Sequence, residues 1–270
     1  MKLIKISISL FITIIFFSSC TDIIELDLKN TEPRIIIEAN LNTTDSTFSA
    51  KLTMSNNFYE DAKLKNVTGA TITLENSDGT KYTIPEIENG YYFLNNISTK
   101  PNNIFSVKVI DANGKEYKAN TTVPFPAEIT LLLPAPFTPP GGGPNNNDTT
   151  KYYQITTLWK DTININNYYR IKTFINDEFQ ADDYAITDDR YNDGDTLASV
   201  SMVELYSKDK FKLQLLSTDQ KYFKYFLDVA ILYNKGPGTT TPYNPKGNFD
   251  NNALGYFGIY SVSEVEFTLP

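Results

Sequence analysis

The sequence predicts a mainly β protein: an N-terminal β-sandwich of immunoglobulin-like or prealbumin-like type, followed by a second β-rich domain carrying one α-helix. Three observations predict it. Apolar and polar residues alternate at period two through most of the chain. Two Gly-closed turns, Asn76-Ser77-Asp78-Gly79 and Asp111-Ala112-Asn113-Gly114, separate such segments. Only residues 218–233 change to helical spacing.

Taken in order, residues 34–41 open with the β-branched run Ile35-Ile36-Ile37, and residues 47–54 alternate. Strands 70–75 and 81–85 flank the first turn, where Gly79 supplies a positive φ; 105–110 and 115–123 flank the second, and 90–94 is a short aromatic strand. These short strands make a sandwich over 33–125, a unit without a built-in pocket whose common use is as a spacer or docking module. Pro124 and Pro126 mark a boundary, and the β-rich domain covers 126–270. Strand 129–133 runs into a Pro/Gly/Asn segment, 134–150, that lacks the apolar content to pack. It reads as a long exposed loop rather than a linker, because a strand of the second domain precedes it. Further strands fall at 152–159, 168–175, 196–205, 212–216 and 259–269. Ser217-Thr218-Asp219-Gln220 fits a capping box for the helix at about 218–233. Tyr222, Phe223, Phe226, Val229, Ala230 and Tyr233 then share the face packed on the sheet, and Asn234-Lys235-Gly236-Pro237 stops the helix. Gly255 and Gly258 around Tyr256-Phe257 predict tight turns that bury two rings beneath the final strand.

Residues 1–19 read as a lipoprotein signal peptide. Lys2 and Lys5 form a positive start, and from Ile6 to Phe17 the chain is apolar apart from Ser7, Ser9 and Thr13. Crossing a bilayer takes about 20 apolar residues, so this shorter run is a signal core. Ser18 and Ser19 precede Cys20, the only cysteine of the chain. The arrangement is similar to a bacterial lipobox, with Phe17 where Leu is usual; the alternative is ordinary secretion. On the lipobox reading Cys20 is lipidated, residues 20–32 are a tether, and each buried acyl methylene contributes about 0.8 kcal/mol to membrane anchoring. Asp22 and Glu25 resemble the surface-export signal of Bacteroidetes-type lipoproteins, which places the protein on the outer membrane facing the exterior. The alternative there is a solvated tether whose charges carry no address.

Composition limits the chemistry. His is absent, which removes the commonest general base and metal ligand, and one cysteine leaves no intrachain disulfide or Cys-based metal cluster. Lys and Arg total 24 against 32 Asp and Glu, a net charge of −8, with no basic run beyond the first residues; a nucleic-acid partner is disfavoured. No G-x-S-x-G elbow, P-loop or G-x-G-x-x-G is present. Carboxylates alone can hydrolyse glycosides, but no motif marks a pair, so no enzyme is expected. The acidic segment 177–195 is the strongest candidate for site chemistry. Asp188, Asp189, Asp193 and Asp195 are its calcium candidates, because flexible carboxylates suit a hard cation. No Glu closes the segment as in an EF-hand, and the composition favours a polar loop turning at Asn192-Asp193-Gly194. Asp195-Thr196-Leu197 resembles an O-glycosylation acceptor of exported Bacteroidetes-type proteins, with Thr196 the modified residue.

The order of several segments carries a wider resemblance. Ile24-Glu25-Leu26-Asp27-Leu28 follows the lipobox, then Pro33-Arg34-Ile35-Ile36-Ile37-Glu38-Ala39, Gly69-Ala70-Thr71-Ile72-Thr73-Leu74 with its Asp78-Gly79 turn, and Tyr117-Lys118-Ala119. Asp189-Arg190-Tyr191-Asn192-Asp193-Gly194, Gly247-Asn248 and Ala253-Leu254-Gly255-Tyr256-Phe257-Gly258 complete the series. The succession resembles the Bacteroidetes lipoproteins grouped as domain-of-unknown-function family 4249, across nearly all of the mature chain. The resemblance implies an outer-membrane lipoprotein partnering a TonB-dependent β-barrel transporter, and it brings no catalytic residues. An accessory or ligand-binding role is therefore expected, with a structural or adhesive surface role as the alternative.

Overall fold

The computed structural model describes residues 32–56, 63–138, 151–180, 185–233 and 243–269. In chain order the first strands are β1 (Ile35–Asn42), β2 (Thr47–Met54), β3 (Lys65–Asn66), β4 (Thr71–Asn76), β5 (Lys81–Ile84), β6 (Glu86–Glu88), β7 (Tyr91–Leu94), β8 (Ile104–Ile110) and β9 (Glu116–Thr122). Then come β10 (Ile129–Phe137), β11 (Lys151–Lys160), β12 (Tyr168–Ile175), β13 (Glu178–Phe179), β14 (Ala185–Asp188), β15 (Thr196–Leu205), β16 (Lys210–Thr218), helix α1 (Gln220–Tyr233) and β17 (Leu254–Thr268). The mainly β class stands, with one helix among the described residues.

A ten-stranded sheet follows the order β13-β12-β16-β17-β1-β2-β7-β6, with β14 beside β12 and β3 beside β2. Two smaller sheets, β5-β4-β8-β9 and β10-β11-β15, pack against it. Alternation explains the layering: Ile35, Ile37, Ala39 and Leu41 of β1 are buried while their neighbours are half-buried. Phe48, Leu52 and Phe257 meet Ile72, Leu74 and Phe105 of the four-stranded sheet in one core. Tyr169, Phe211 and Leu213 meet Ile155, Trp159 and Leu197 of the three-stranded sheet in another.

Strand β17 serves both cores. Its first half pairs parallel with β1, and its second half pairs antiparallel with β16. Phe257 and Ile259 belong to the first core, and Val265 and Phe267 pack on the second. Tyr256, Tyr260 and Val262 face the other way, onto Tyr222 of α1. Pro33–Asn56 and Ala62–Pro270 accordingly form one compact unit. The boundary expected between residues 125 and 126 divides the chain but not the large sheet, since β1 and β17 pair across it.

Strands 47–54, 168–175 and 196–205 lie where the alternation puts them. Both hairpin turns close, with the N–H of Gly79 donating to the Asn76 carbonyl and that of Gly114 to the Asp111 carbonyl, each at 2.9 Å. Four differences have physical reasons. Strand β10 continues through Pro134 to Phe137, so the loop expected from 134 starts later. Pro134 and Pro136, two residues apart, turn their missing donors to the same side, and β10 is an edge strand paired only with β11. Strand β17 begins at Leu254 rather than 259, so Gly255 and Gly258 lie within a strand, not in turns. Gly255 has φ +88°, and a Cβ there would stand 2.2 Å from the Ile37 carbonyl oxygen; the close parallel approach of β1 needs glycine. The helix cap is Asp219, not Ser217: the Asp219 Oδ1 accepts the N–H groups of Lys221 (2.7 Å) and Tyr222 (3.0 Å). Ser217 instead lies within β16, one residue before its end, and its Oγ accepts the Ala127 N–H at 2.9 Å. Strands β3, β6, β13 and β14 are too short for a periodic signal. Residues 139–150 and the stop Asn234-Lys235-Gly236-Pro237 lie outside the described residues, as do the leader, Cys20 and the tether up to residue 31.

Candidate functional site

Among the described residues, the buried carboxylates Asp161, Asp189 and Asp219 lie in two places. The first is an acidic corner where β11, β12, β14 and β15 have their ends. Asp161 directly follows β11 and is buried; its Oδ1 accepts the Tyr169 hydroxyl at 2.5 Å and its Oδ2 the Gly194 N–H at 2.9 Å. Asp189 directly follows β14 and is also buried, its Oδ2 accepting the Asn167 N–H at 2.9 Å and the Asn167 Nδ2 at 3.3 Å. Asp193 is exposed, and its Oδ1 accepts the Asn164 N–H at 2.8 Å. Carboxylate oxygens from all three lie within 4.8 Å of one another. Desolvation holds the Asp189 carboxyl above its ordinary value, against the Asn167 hydrogen bond and with help from the neighbouring Asp161 charge. Desolvation and then the Asp161 carboxylate push the Tyr169 hydroxyl far up.

Of the four calcium candidates, Asp189 and Asp193 converge and Asp188 and Asp195 do not. Asp188 pairs with Arg190 (Nη2 to Oδ2, 2.6 Å), and the exposed Asp195 contributes its carbonyl, which accepts the Asp161 N–H at 3.0 Å. Every carboxylate of the trio already accepts a hydrogen bond from its own loops. The donor set therefore acts first as a lock, fastening the 189–195 turn to the strand ends. Gly194 is part of that lock: φ is +75°, and a Cβ there would meet Ile163 at 2.8 Å. Within the trio only Asp189 Oδ1 and Asp193 Oδ2 lie outside the hydrogen bonds just named, two carboxylate oxygens against the 6–8 oxygens calcium prefers. Thr196, the candidate glycosylation residue, is exposed at the first position of β15.

The second place is a cleft of about 460 Å³ between the end of β9, the start of β12 and the N-terminus of α1. Asp219 forms its floor. Besides capping α1, its Oδ2 accepts the Ile259 N–H at 2.8 Å, and the Thr121 hydroxyl bonds to it as well. Burial raises the Asp219 carboxyl above its ordinary value, while these bonds pull it back. Lys221 is equally committed, its Nζ reaching the Asn120 Oδ1 at 2.7 Å. The remaining walls are neutral: Asn102, Asn166, Thr122 and Gln220 supply amides and a hydroxyl, and Phe125 and Tyr168 supply rings. Gln220 Nε2 donates to the Tyr168 hydroxyl at 2.6 Å, which fixes that ring at the rim. Such a lining can hydrogen-bond and cover a neutral hydroxyl-bearing molecule.

A family model described as a domain of unknown function, DUF4249, matches residues 21–266. The chain belongs to this family. No curated protein matches it. The DUF4249 span takes in both the acidic corner and the cleft, and it begins one residue after Cys20. Asp161 and the cleft residues of this DUF4249 chain carry no local signal: Asp161 stands alone after Trp159-Lys160, and the cleft draws on positions from 102 to 221.

Proposed function

We propose that this chain is a non-enzymatic lipoprotein of the outer membrane, anchored through acylated Cys20 and facing the cell exterior, that serves as an accessory, ligand-holding partner of a TonB-dependent transporter. One coincidence carries the reading: the only cysteine stands at position 20 behind a short apolar leader, and the family match begins at 21. A chain cleaved before Cys20 would begin one residue ahead of the family match. Several acyl chains on that cysteine hold such a protein firmly. The cleft supplies the ligand-holding half, with neutral amides and hydroxyls beside Phe125 and Tyr168. Its one carboxylate, Asp219, is consumed by backbone donors, which supports binding rather than turnover.

A structural or adhesive surface role is the second reading, favoured by Leu131, Leu133, Val200 and Met202, which stand exposed on one sheet face. Mass spectrometry of the chain taken from membranes tests the anchor: the first peptide should start at Cys20 and bear fatty acid, and an unacylated start elsewhere refutes it. A detergent pull-down through a C-terminal tag tests the partner. A large β-barrel should co-purify; a clean preparation together with a loss of surface attachment on deletion supports the adhesive reading instead.

A further inference from the structure

The three-stranded sheet buries one face and leaves the other bare. Its rows across β11 and β15 are Lys160–Thr196, Leu158–Ala198, Thr156–Val200, Gln154–Met202 and Tyr152–Glu204. Leu131 and Leu133 of β10 extend the rows at Leu158 and Thr156. On this face Val200 is 53% exposed, Met202 64%, Leu131 43% and Leu133 49%. The two edges of the sheet differ. On β10, Pro134 and Pro136 remove donors that an added strand would need. On β15, ten residues contain no proline and no bulge, and among the described residues their outer edge has no partner strand. A long, regular edge under an apolar face is a template for another strand.

We infer that β15 pairs antiparallel with β15 of a second copy, with Val200 on the two-fold axis. Three features select a second copy as occupant. In this register Met202 stands opposite Ala198 of the other copy, with Leu158 of that copy beyond it, so large meets small. Glu204 stands opposite Thr196, with Lys160 of the other copy one strand further, so the nearest charged side chain on that face across each end of the pairing has the opposite sign. The proline-bearing β10 edge prevents β15-to-β10 addition, which would build an open fibre, so the pairing closes as a dimer. The result is one six-stranded sheet with a continuous apolar face.

Cross-linking of the whole chain in detergent tests the register. Residues facing each other across paired strands have Cβ atoms about 4.5–5.5 Å apart. The Val200→Cys variant should therefore give a disulfide-linked dimer under mild oxidation. Met202→Cys should not, because its two copies are offset by four residues, about 13 Å along the strands. Sedimentation of the unsubstituted chain should show a dimer, and Val200→Lys should abolish it with unchanged circular dichroism, since Val200 lies outside the core. A monomeric unsubstituted chain, a dimer that survives Val200→Lys, or cross-linking at 202 equal to that at 200 would overturn the inference.

Discussion

The two small sheets do the same work on their inner faces and opposite work on their outer ones. The four-stranded sheet turns Thr71, Glu75, Ser106, Lys118, Asn120 and Thr122 outward, and the ion pairs Lys81–Glu75 (3.2 Å) and Lys118–Glu116 (2.8 Å) lie across it. Ile104 is the large apolar residue exposed on it, and Ile110 on the same face is half-buried. The three-stranded sheet presents Leu131, Leu133, Val200 and Met202 in the equivalent direction. Burial on the core side stabilises both alike, so core packing does not explain the difference. A polar outer face finishes a sheet; an apolar one with an open edge leaves it ready for a partner.

The sharpest way to break the comparison is to test whether the two halves stand apart at all. Gly255→Val forces a side chain into the Ile37 carbonyl at a positive φ, which should cost about 3 kcal/mol or more and abolish soluble expression of both halves together. Retention of a protease-resistant fragment containing one core would show that the halves fold separately. Asp219→Ala comes next. It removes a helix cap and strands the buried Ile259 N–H, so thermal unfolding should show a loss of about 2–4 kcal/mol.

A third test uses charge. In the first half Lys118 leans on Glu116, which raises its pKa. In the second half Lys172 of β12 is half-buried, and desolvation followed by the nearby Arg170 charge pushes it down to about 8. A lysine depressed in the folded state binds more protons when unfolded, so its effect is to make stability rise with pH between about 8 and the ordinary lysine value. Lys172→Met should remove that rise and stabilise the chain at pH 7 by about 1–3 kcal/mol, read from melting curves across the pH range. The smallest expected effect concerns the acidic corner. If Asp161, Asp189 and Asp193 act as a lock, millimolar calcium and EDTA should give the same melting temperature. A cation site with a Kd near 10 µM would instead add about 2.7 kcal/mol at a hundredfold excess.

Much of this was legible where a physical signal is local. Period-two alternation located β2, β12 and β15 because each has one buried face, and the Gly79 and Gly114 turns needed residues that few other sequences supply. The helix was found from its aromatic spacing, but its cap was misplaced by two residues because Ser217 and Asp219 both suit the role and only the β16 ladder decides between them. Other features depend on distant partners. Nothing near Leu254 announces a parallel neighbour at Ile36, and nothing near Asp161 announces Asp189. Of the acidic candidates, local composition grouped Asp188, Asp189, Asp193 and Asp195, yet the path of the loop after β14 brings only Asp189 and Asp193 to Asp161, the first buried and the second exposed.

The parallel contact between β1 and β17 joins Ile36 to Leu254, a separation of 254 − 36 = 218 residues. During synthesis the earliest strand must wait for one of the latest before its sheet is complete, and contacts of such long range form slowly. Until then the nascent polypeptide carries β1 with one edge unpaired, a strand open to a wrong partner until the C-terminal segment closes it.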